Sequence, residues 1–255
     1  MSALRSRPRS GLRVLLYHSI GEPGSSDSHG ASVAPGRFAE QVAWLLDSGM
    51  PTVSLEDGLR ANDLNPAVAS VTITVDDGYL DALTVAAPLL ARHRIPFTVF
   101  VIGAFVTAPP LTGRYLDAVA LRELAAVPGA TIGAHGHRHR PLTRLADGDV
   151  MEELTASRAS ISDILGRPPE VMSYPHGAVN ARIVRHVDRA GFRLAATSLI
   201  GVNAGGAVPL RLRRTEVTAR DDARAFAGKI RGDYDWYALK QRLYCPVPRL
   251  ASPTR

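Results

Sequence analysis

Side chains able to do acid–base or metal chemistry gather at a few short places in this 255-residue chain. The first is Asp76-Asp77-Gly78, directly after the β-branched apolar run 70–75. Two adjacent carboxylates repel each other unless a cation or a shared proton relieves them. The second is His135-Gly136-His137-Arg138-His139, after the short run 130–133. Neutral imidazole is a frequent zinc ligand, and histidines four apart fall on one side of a helical turn. The spacing is that of the metalloprotease His-Glu-x-x-His, but Gly136 stands in place of the glutamate, so a base must come from elsewhere. The third place is Ser173-Tyr174-Pro175-His176-Gly177, and a fourth is Tyr17-His18, each closing an apolar run.

Singly, these features have ordinary explanations. Asp-Gly is a common turn pair, proline commonly ends a strand, and a lone histidine at a strand end is more often structural than catalytic. In combination they say more. One carboxylate and two imidazoles make a three-ligand site with a position left for water, the pattern of a catalytic rather than a structural zinc. The other carboxylate is then available as a base, because a water on such a metal has its pKa lowered to about 7 and a nearby carboxylate can take the proton.

The elements that must position these groups alternate along the chain. Strands are expected at 13–18, 70–75, 97–102, 130–133, 171–174, 194–197 and 214–217. Helices are expected over 35–48, 79–93, 118–126, 149–165 and 180–190, several with Pro near the start or Gly past the end. Such alternation implies an α/β fold with a parallel sheet or barrel, in which the C-terminal strand ends carry the active site. All four polar clusters sit at such ends. The division read from the chain is a flexible segment over 1–12, one barrel domain over 13–245 and a tail over 246–255, with a polar loop at Gly21–Gly30.

Composition sets outer bounds. The apolar fraction is 45% and the charged fraction 21%, ordinary for a globular protein. The net charge of +6 is almost entirely arginine, since lysine occurs only at Lys229 and Lys240. The arginines are scattered and not interleaved with aromatics, which speaks against nucleic acid as a partner. A basic head (Arg5, Arg7, Arg9, Arg13) suits peripheral contact with anionic lipid or a lipid-linked sugar. Cys245 is the single cysteine, so no intrachain disulfide forms. Neither a signal-peptide pattern nor a run of membrane-spanning length is present, so a cytoplasmic protein without a transmembrane segment is expected.

In their order along the chain, the motifs resemble those of the polysaccharide deacetylase family of carbohydrate esterases. Thr74-Val75-Asp76-Asp77-Gly78 is similar to the family's Thr-Phe-Asp-Asp-Gly, and His135 to His139 to its His-(Ser/Thr)-x-x-His. Tyr174-Pro175-His176-Gly177 is similar to the Tyr-Pro-x-Gly form of its third motif. Leu16-Tyr17-His18, the segment 38–49, Ala190-Gly191-Phe192 and Arg211 to Arg214 resemble the exopolysaccharide-associated branch. The resemblance spans 13–220. It implies a distorted (β/α) barrel with about seven strands. It implies Asp76 as general base and Asp77, His135 and His139 as ligands of a divalent metal, with zinc ahead of cobalt or nickel. It implies Tyr174, Pro175 and His176 at the substrate or oxyanion side, with a backbone N–H near His176 as oxyanion donor. The activity implied is metal-dependent removal of N-acetyl groups from an amino-sugar-containing saccharide, releasing acetate.

The chain departs from the common pattern at three places. Val75 replaces a phenylalanine, a packing change. Ser173 stands where many members have an arginine that orients the catalytic aspartate, and Arg214, ahead of Arg213, is the candidate to supply that charge from another strand. No late Leu-x-His motif is found, and no histidine follows His186. His18 is then the candidate acid for the leaving amine; the competing view makes His18 structural and has Asp76 return the proton. Two other functions stay open: hydrolysis of another non-peptide C–N bond, in a cyclic amide or small nitrogen heterocycle, and a non-catalytic carbohydrate-binding relic.

Overall fold

The computed structural model describes residues 8–22, 30–107 and 114–244. Arg5, Arg7, most of the Gly21–Gly30 loop, Cys245 and the tail lie outside them. Seven strands form one sheet: β1 (Gly11–Tyr17), β2 (Ala69–Val75), β3 (Phe97–Val101), β4 (Ala130–Ala134), β5 (Val171–Ser173), β6 (Leu194–Ala196) and β7 (Arg214–Glu216). All neighbours are parallel, in the order β6-β5-β4-β3-β2-β1-β7. The sheet curls until its ends meet: Leu212, just before β7, bridges Ala196 of β6 in parallel. The helices are α1 (Pro35–Ser48), α2 (Leu55–Leu64), α3 (Ala87–Arg92), α4 (Gly103–Thr107), α5 (Ala118–Ala125), α6 (Asp147–Leu165), α7 (Ala181–Arg189), α8 (Ala223–Arg231) and α9 (Tyr237–Tyr244). None among the described residues is long and apolar enough to cross a membrane.

Alternation along the strands divides the core in two. One set of side chains, including Leu15, Tyr17, Ile73, Val75, Val99, Val101 and Met172, packs with the helices in the larger cluster. The other set, Leu12, Val14, Phe100, Val171, Leu194, Ala196 and Leu212, forms a smaller cluster inside the curl. The interior is tight. A Cβ on Gly133 would lie 2.4 Å from Phe100 Cδ1, so the phenylalanine ring fills the space a side chain there would need. Continuing the inward period-2 series reaches His18 after Leu12-Val14-Leu16, Asp76 after Thr72-Thr74, His135 after Thr131-Gly133, and Glu216 after Leu212-Arg214. Side chains with chemistry thus emerge at one rim because the sheet's own period carries them there.

Several helices begin or end as their sequences require. Ser54, Asp117, Asn180 and Asp222 cap α2, α5, α7 and α8 by accepting backbone N–H groups, and Gly49 and Gly166 close α1 and α6 in the left-handed region. Other details differ from the sequence expectations. β1 starts at Gly11, because Leu12 already pairs with Asn203. The helix expected over 79–93 starts later, as a π turn at Ala82–Ala86 running into α3. Tyr79 is instead held in a bridge to Tyr115, with the two rings stacked 4.8 Å apart. Helices α2, α4, α8 and α9 were not expected. Arg13 does not belong to an exposed basic head: it is buried on the helix-facing side of β1 and makes a bidentate pair with Asp235 at 2.8 and 2.9 Å, so it is closed to lipid.

Candidate active site

Asp76 follows β2 and is 2% exposed. Arg214, from β7, is 1% exposed and grips it with two parallel N–H···O bonds, Nη1 to Oδ1 and Nη2 to Oδ2, both 2.7 Å. The guanidinium is fixed in turn by the Thr197 carbonyl at 2.8 Å and by Thr74 Oγ1 at 3.3 Å. Burial alone would raise the Asp76 pKa. The Arg214 charge and its hydrogen bonds, helped by His135, outweigh burial and hold the carboxyl well below the usual range. The guanidinium that Ser173 does not supply therefore arrives from the far side of β1.

Three ligand-type atoms converge beside this pair. Asp77 Oδ1 lies 3.4 Å from His135 Nε2 and 3.5 Å from His139 Nε2, and the two nitrogens are 3.1 Å apart. Asp77 Oδ1 is buried and has no hydrogen-bond partner. His135 Nδ1 faces the Ser173 carbonyl at 3.0 Å, which seats a proton on Nδ1 and leaves Nε2 with its lone pair toward Asp77 and His139. His139 is pushed down to about 4 by burial and by His135. Burial opposes charge on His135, yet the Asp76 and Asp77 carboxylates raise its pKa. The cluster thus favours one positive charge at its centre. Two neutral imidazoles and a carboxylate aimed at one point fit a divalent cation, and Asp77, His135 and His139 are the residues that would hold it.

The backbone is bent sharply to achieve this. Four non-glycine residues in the described chain have positive φ, and three of them are Asp77 (71°), His139 (56°) and His176 (58°). Such conformations cost about 1–3 kcal/mol each and persist where the surroundings over-determine them. The expectation that His135 and His139 share a helical turn is not met: β4 ends at Ala134 and 135–140 is an irregular turn. Gly136, at φ 71°, turns the chain out of α geometry. The Gly103 and Ala104 N–H groups then take the carbonyls of Gly136 and His137 at 2.9 and 2.8 Å, bonds a continuous helix would have made internally.

The remaining candidates fall in different places. His18 stands on the same rim, half-buried; its Nδ1 has no hydrogen-bond partner and lies 3.9 Å from Glu216 Oε1. It is close enough to contribute to lowering both Asp76 and Asp77. His176 is exposed, with its ring 4.4 Å from that of His139 and its Nε2 3.2 Å from the His139 carbonyl. Tyr174 and Pro175 are buried. The Tyr174 hydroxyl donates to the Leu210 carbonyl at 2.8 Å, so its side chain anchors the loop before β7 and is not open to substrate. Arg214 likewise reaches only Asp76 and its neighbours, not substrate. Ser173 has a part that its sequence position as a missing arginine did not suggest: its hydroxyl contacts both His135 Nδ1 and Asp76 Oδ1, joining the imidazole to the carboxylate.

A curled parallel β/α sheet with three convergent ligand-type side chains beside a buried, partnered carboxylate has the arrangement that metal-assisted hydrolysis requires. The sequence pattern of the polysaccharide deacetylase family matches residues 64–195, and the chain belongs to that family, whose members are carbohydrate deacetylases. It is 25% identical over 221 residues to the protein YxkH of Bacillus subtilis (strain 168), covering 86% of this chain and 76% of that one. It is 30% identical over 105 residues to the poly-β-1,6-N-acetyl-D-glucosamine N-deacetylase of Escherichia coli (strain K12), covering 40% of this chain and 15% of that protein. The solved structure of IcaB from Ammonifex degensii superposes with a TM-score of 0.76 at 25% identity, over 88% of this chain and 98% of that one.

Proposed function

We propose that the protein removes the N-acetyl group of an amino-sugar-containing saccharide, leaving acetate and a free amine. The observation that carries this reading is the pairing of Asp76 with Arg214 next to the convergent Asp77, His135 and His139. A metal bound there, with zinc the first choice for this donor set, would supply Lewis acidity to the acetyl oxygen and to water. Asp76 takes the proton of the attacking water. Because Arg214 stabilises its ionised form, Asp76 is a weak base and needs an acidified water, which suits a carboxylate beside a Lewis acid. The backbone N–H of His176 is assigned to the developing oxyanion. Expelling an amide anion is prohibitive, so the amine must leave protonated; His18, across the rim and backed by Glu216, is assigned as the donor.

The name of the Escherichia coli relative specifies an N-deacetylase, which favours an amide over an ester. A non-catalytic relic is the reading that a missing arginine and a missing late histidine would favour; Arg214 supplies the first, and His18 is assigned the part of the second. The test is acetate release from a panel of N-acetylated saccharides by zinc-loaded protein, with Asp76→Asn as comparison and metal content measured in both. Wild type should release acetate and Asp76→Asn should not, while both hold metal. An active Asp76→Asn protein, or ammonia and ring-opened products in place of acetate, would overturn the proposal.

A further inference from the structure

Glu153 lies on α6, outside the curl, and takes no part in the chemistry above. Its side chain is 0% exposed, and carboxylates are almost never fully buried unless paired. Its Oε2 accepts the backbone N–H groups of His137 at 3.0 Å and Arg138 at 2.8 Å, and Oε1 lies 3.4 Å from Arg138 Nη1. His137 and Arg138 form the middle of the turn that separates His135 from His139. That turn is not helical, so nothing within it satisfies these two N–H groups, and a buried N–H left alone is costly. Gly103 and Ala104, on the helix α4 that packs against α6, donate their N–H groups to the carbonyls of Gly136 and His137. The turn is thus held through both its carbonyl and its N–H groups, and Glu153 is the side chain that takes the two N–H groups. Hydrogen bonds to a carboxylate are roughly twice as strong as neutral ones, which suits a residue that must hold Gly136 and His139 in left-handed conformations.

We infer that Glu153 is a positioning residue for the metal site: by binding the N–H groups of His137 and Arg138, it fixes the turn that aims His139 Nε2 at His135 Nε2 and Asp77 Oδ1. This rests on reading those three residues as metal ligands. It is separate from the deacetylase reading, because metal binding is measured without turnover.

The experiment is Co2+ titration of the full-length, metal-free protein, following the visible absorption of the bound ion, with thermal stability of each metal-free protein recorded alongside. Glu153→Ala should weaken Co2+ binding about 10–100-fold, the usual effect of removing a group that orients a ligand, and should alter the absorption spectrum. Glu153→Gln keeps an acceptor oxygen for both N–H groups and should recover most of the affinity, leaving a loss of about 2–10-fold. Leu154→Ala, one residue along the same helix and fully buried in the core, should lower thermal stability with affinity and spectrum unchanged. If Glu153→Ala does not fold, Glu153→Gln is read alone: a partial loss supports the inference, and affinity within about twofold of wild type overturns it. Wild-type affinity and spectrum in Glu153→Ala, or an equal loss of affinity in Leu154→Ala, would also overturn it. A wild-type protein that takes up no Co2+ would instead remove the metal site itself, whatever the saccharide assays show.

Discussion

Replacing Arg214 with methionine tests the electrostatic core of the site. Both partners are essentially buried, with side-chain exposures of 0% and 3%. The change removes both 2.7 Å bonds and leaves Asp76 with Ser173 Oγ at 3.3 Å as its main remaining side-chain donor. An uncompensated buried charge costs about 3–5 kcal/mol, a large share of the roughly 5–15 kcal/mol that holds a domain together. The pH dependence follows from the direction of the shift. In wild type the folded-state Asp76 pKa is depressed. The pair's contribution is therefore complete above the unfolded value of about 3.9 and fades as pH falls below it. In Arg214→Met burial dominates, so the folded pKa rises above the unfolded one, and protonation relieves the penalty as pH drops through it. The stability difference between the two proteins should be largest at neutral pH and shrink steadily toward about pH 4. Urea unfolding of chelator-treated proteins across that range measures it. Asp76→Asn combined with Arg214→Met should cost less than the sum of the single changes, since it strands no charge. A neutral-pH loss below about 1 kcal/mol, or a loss that is flat with pH, would refute the argument.

His18→Ala should lower kcat about 10²–10⁴-fold with little change in KM or metal content, and near-normal turnover in a metal-loaded protein would take His18 out of the mechanism. Gly133→Ala should destabilise by about 1–3 kcal/mol in urea, because its Cβ meets Phe100 at 2.4 Å and Val171 at 2.9 Å; unchanged stability would show that the interior is not packed as described. Chelation should abolish acetate release and lower the thermal midpoint, with zinc restoring both. Metal at a hundred times its Kd stabilises by about 2.7 kcal/mol, so equal midpoints with and without zinc would contradict a folded-state metal site.

The parts of this molecule that could be read from the chain are those whose signal is local. The apolar, β-branched runs that end before Asp76 and begin at Phe97 mark β2 and β3, and Pro35 with Gly49 bounds α1 to the residue. Motif order alone groups Asp76, Asp77, His135 and His139, and their side chains converge in the fold. What escaped was non-local. The turn at His135 looks helical by spacing, but Gly136 at φ 71° takes the chain out of α geometry, and Glu153, Gly103 and Ala104 bind the N–H and carbonyl groups this frees. Ser173 gave no hint that its carbonyl and hydroxyl would orient His135. Helix α2 was hidden by Gly58, whose missing side chain is required by Leu12, 2.6 Å from where a Cβ would sit. The inward alternation ending in His18, Asp76, His135 and Glu216 can be counted along each strand, and it places Arg214 in the same interior set.

Arg214 and Asp76 are 138 residues apart and come from strands on either side of β1. All three metal-ligand candidates precede residue 140, so they can come together while the chain is still incomplete. The Arg214–Asp76 pair cannot form until β7 has docked against β1 and Leu212 has reached β6. The Arg214–Asp76 pair is therefore tied to a sequence-distant contact, β1 with β7, of the kind that forms slowly because a long loop must close first. A partly folded chain could hold a cation yet lack the arginine-held carboxylate, so on the function proposed above acetate release would report the docking of β7 against β1.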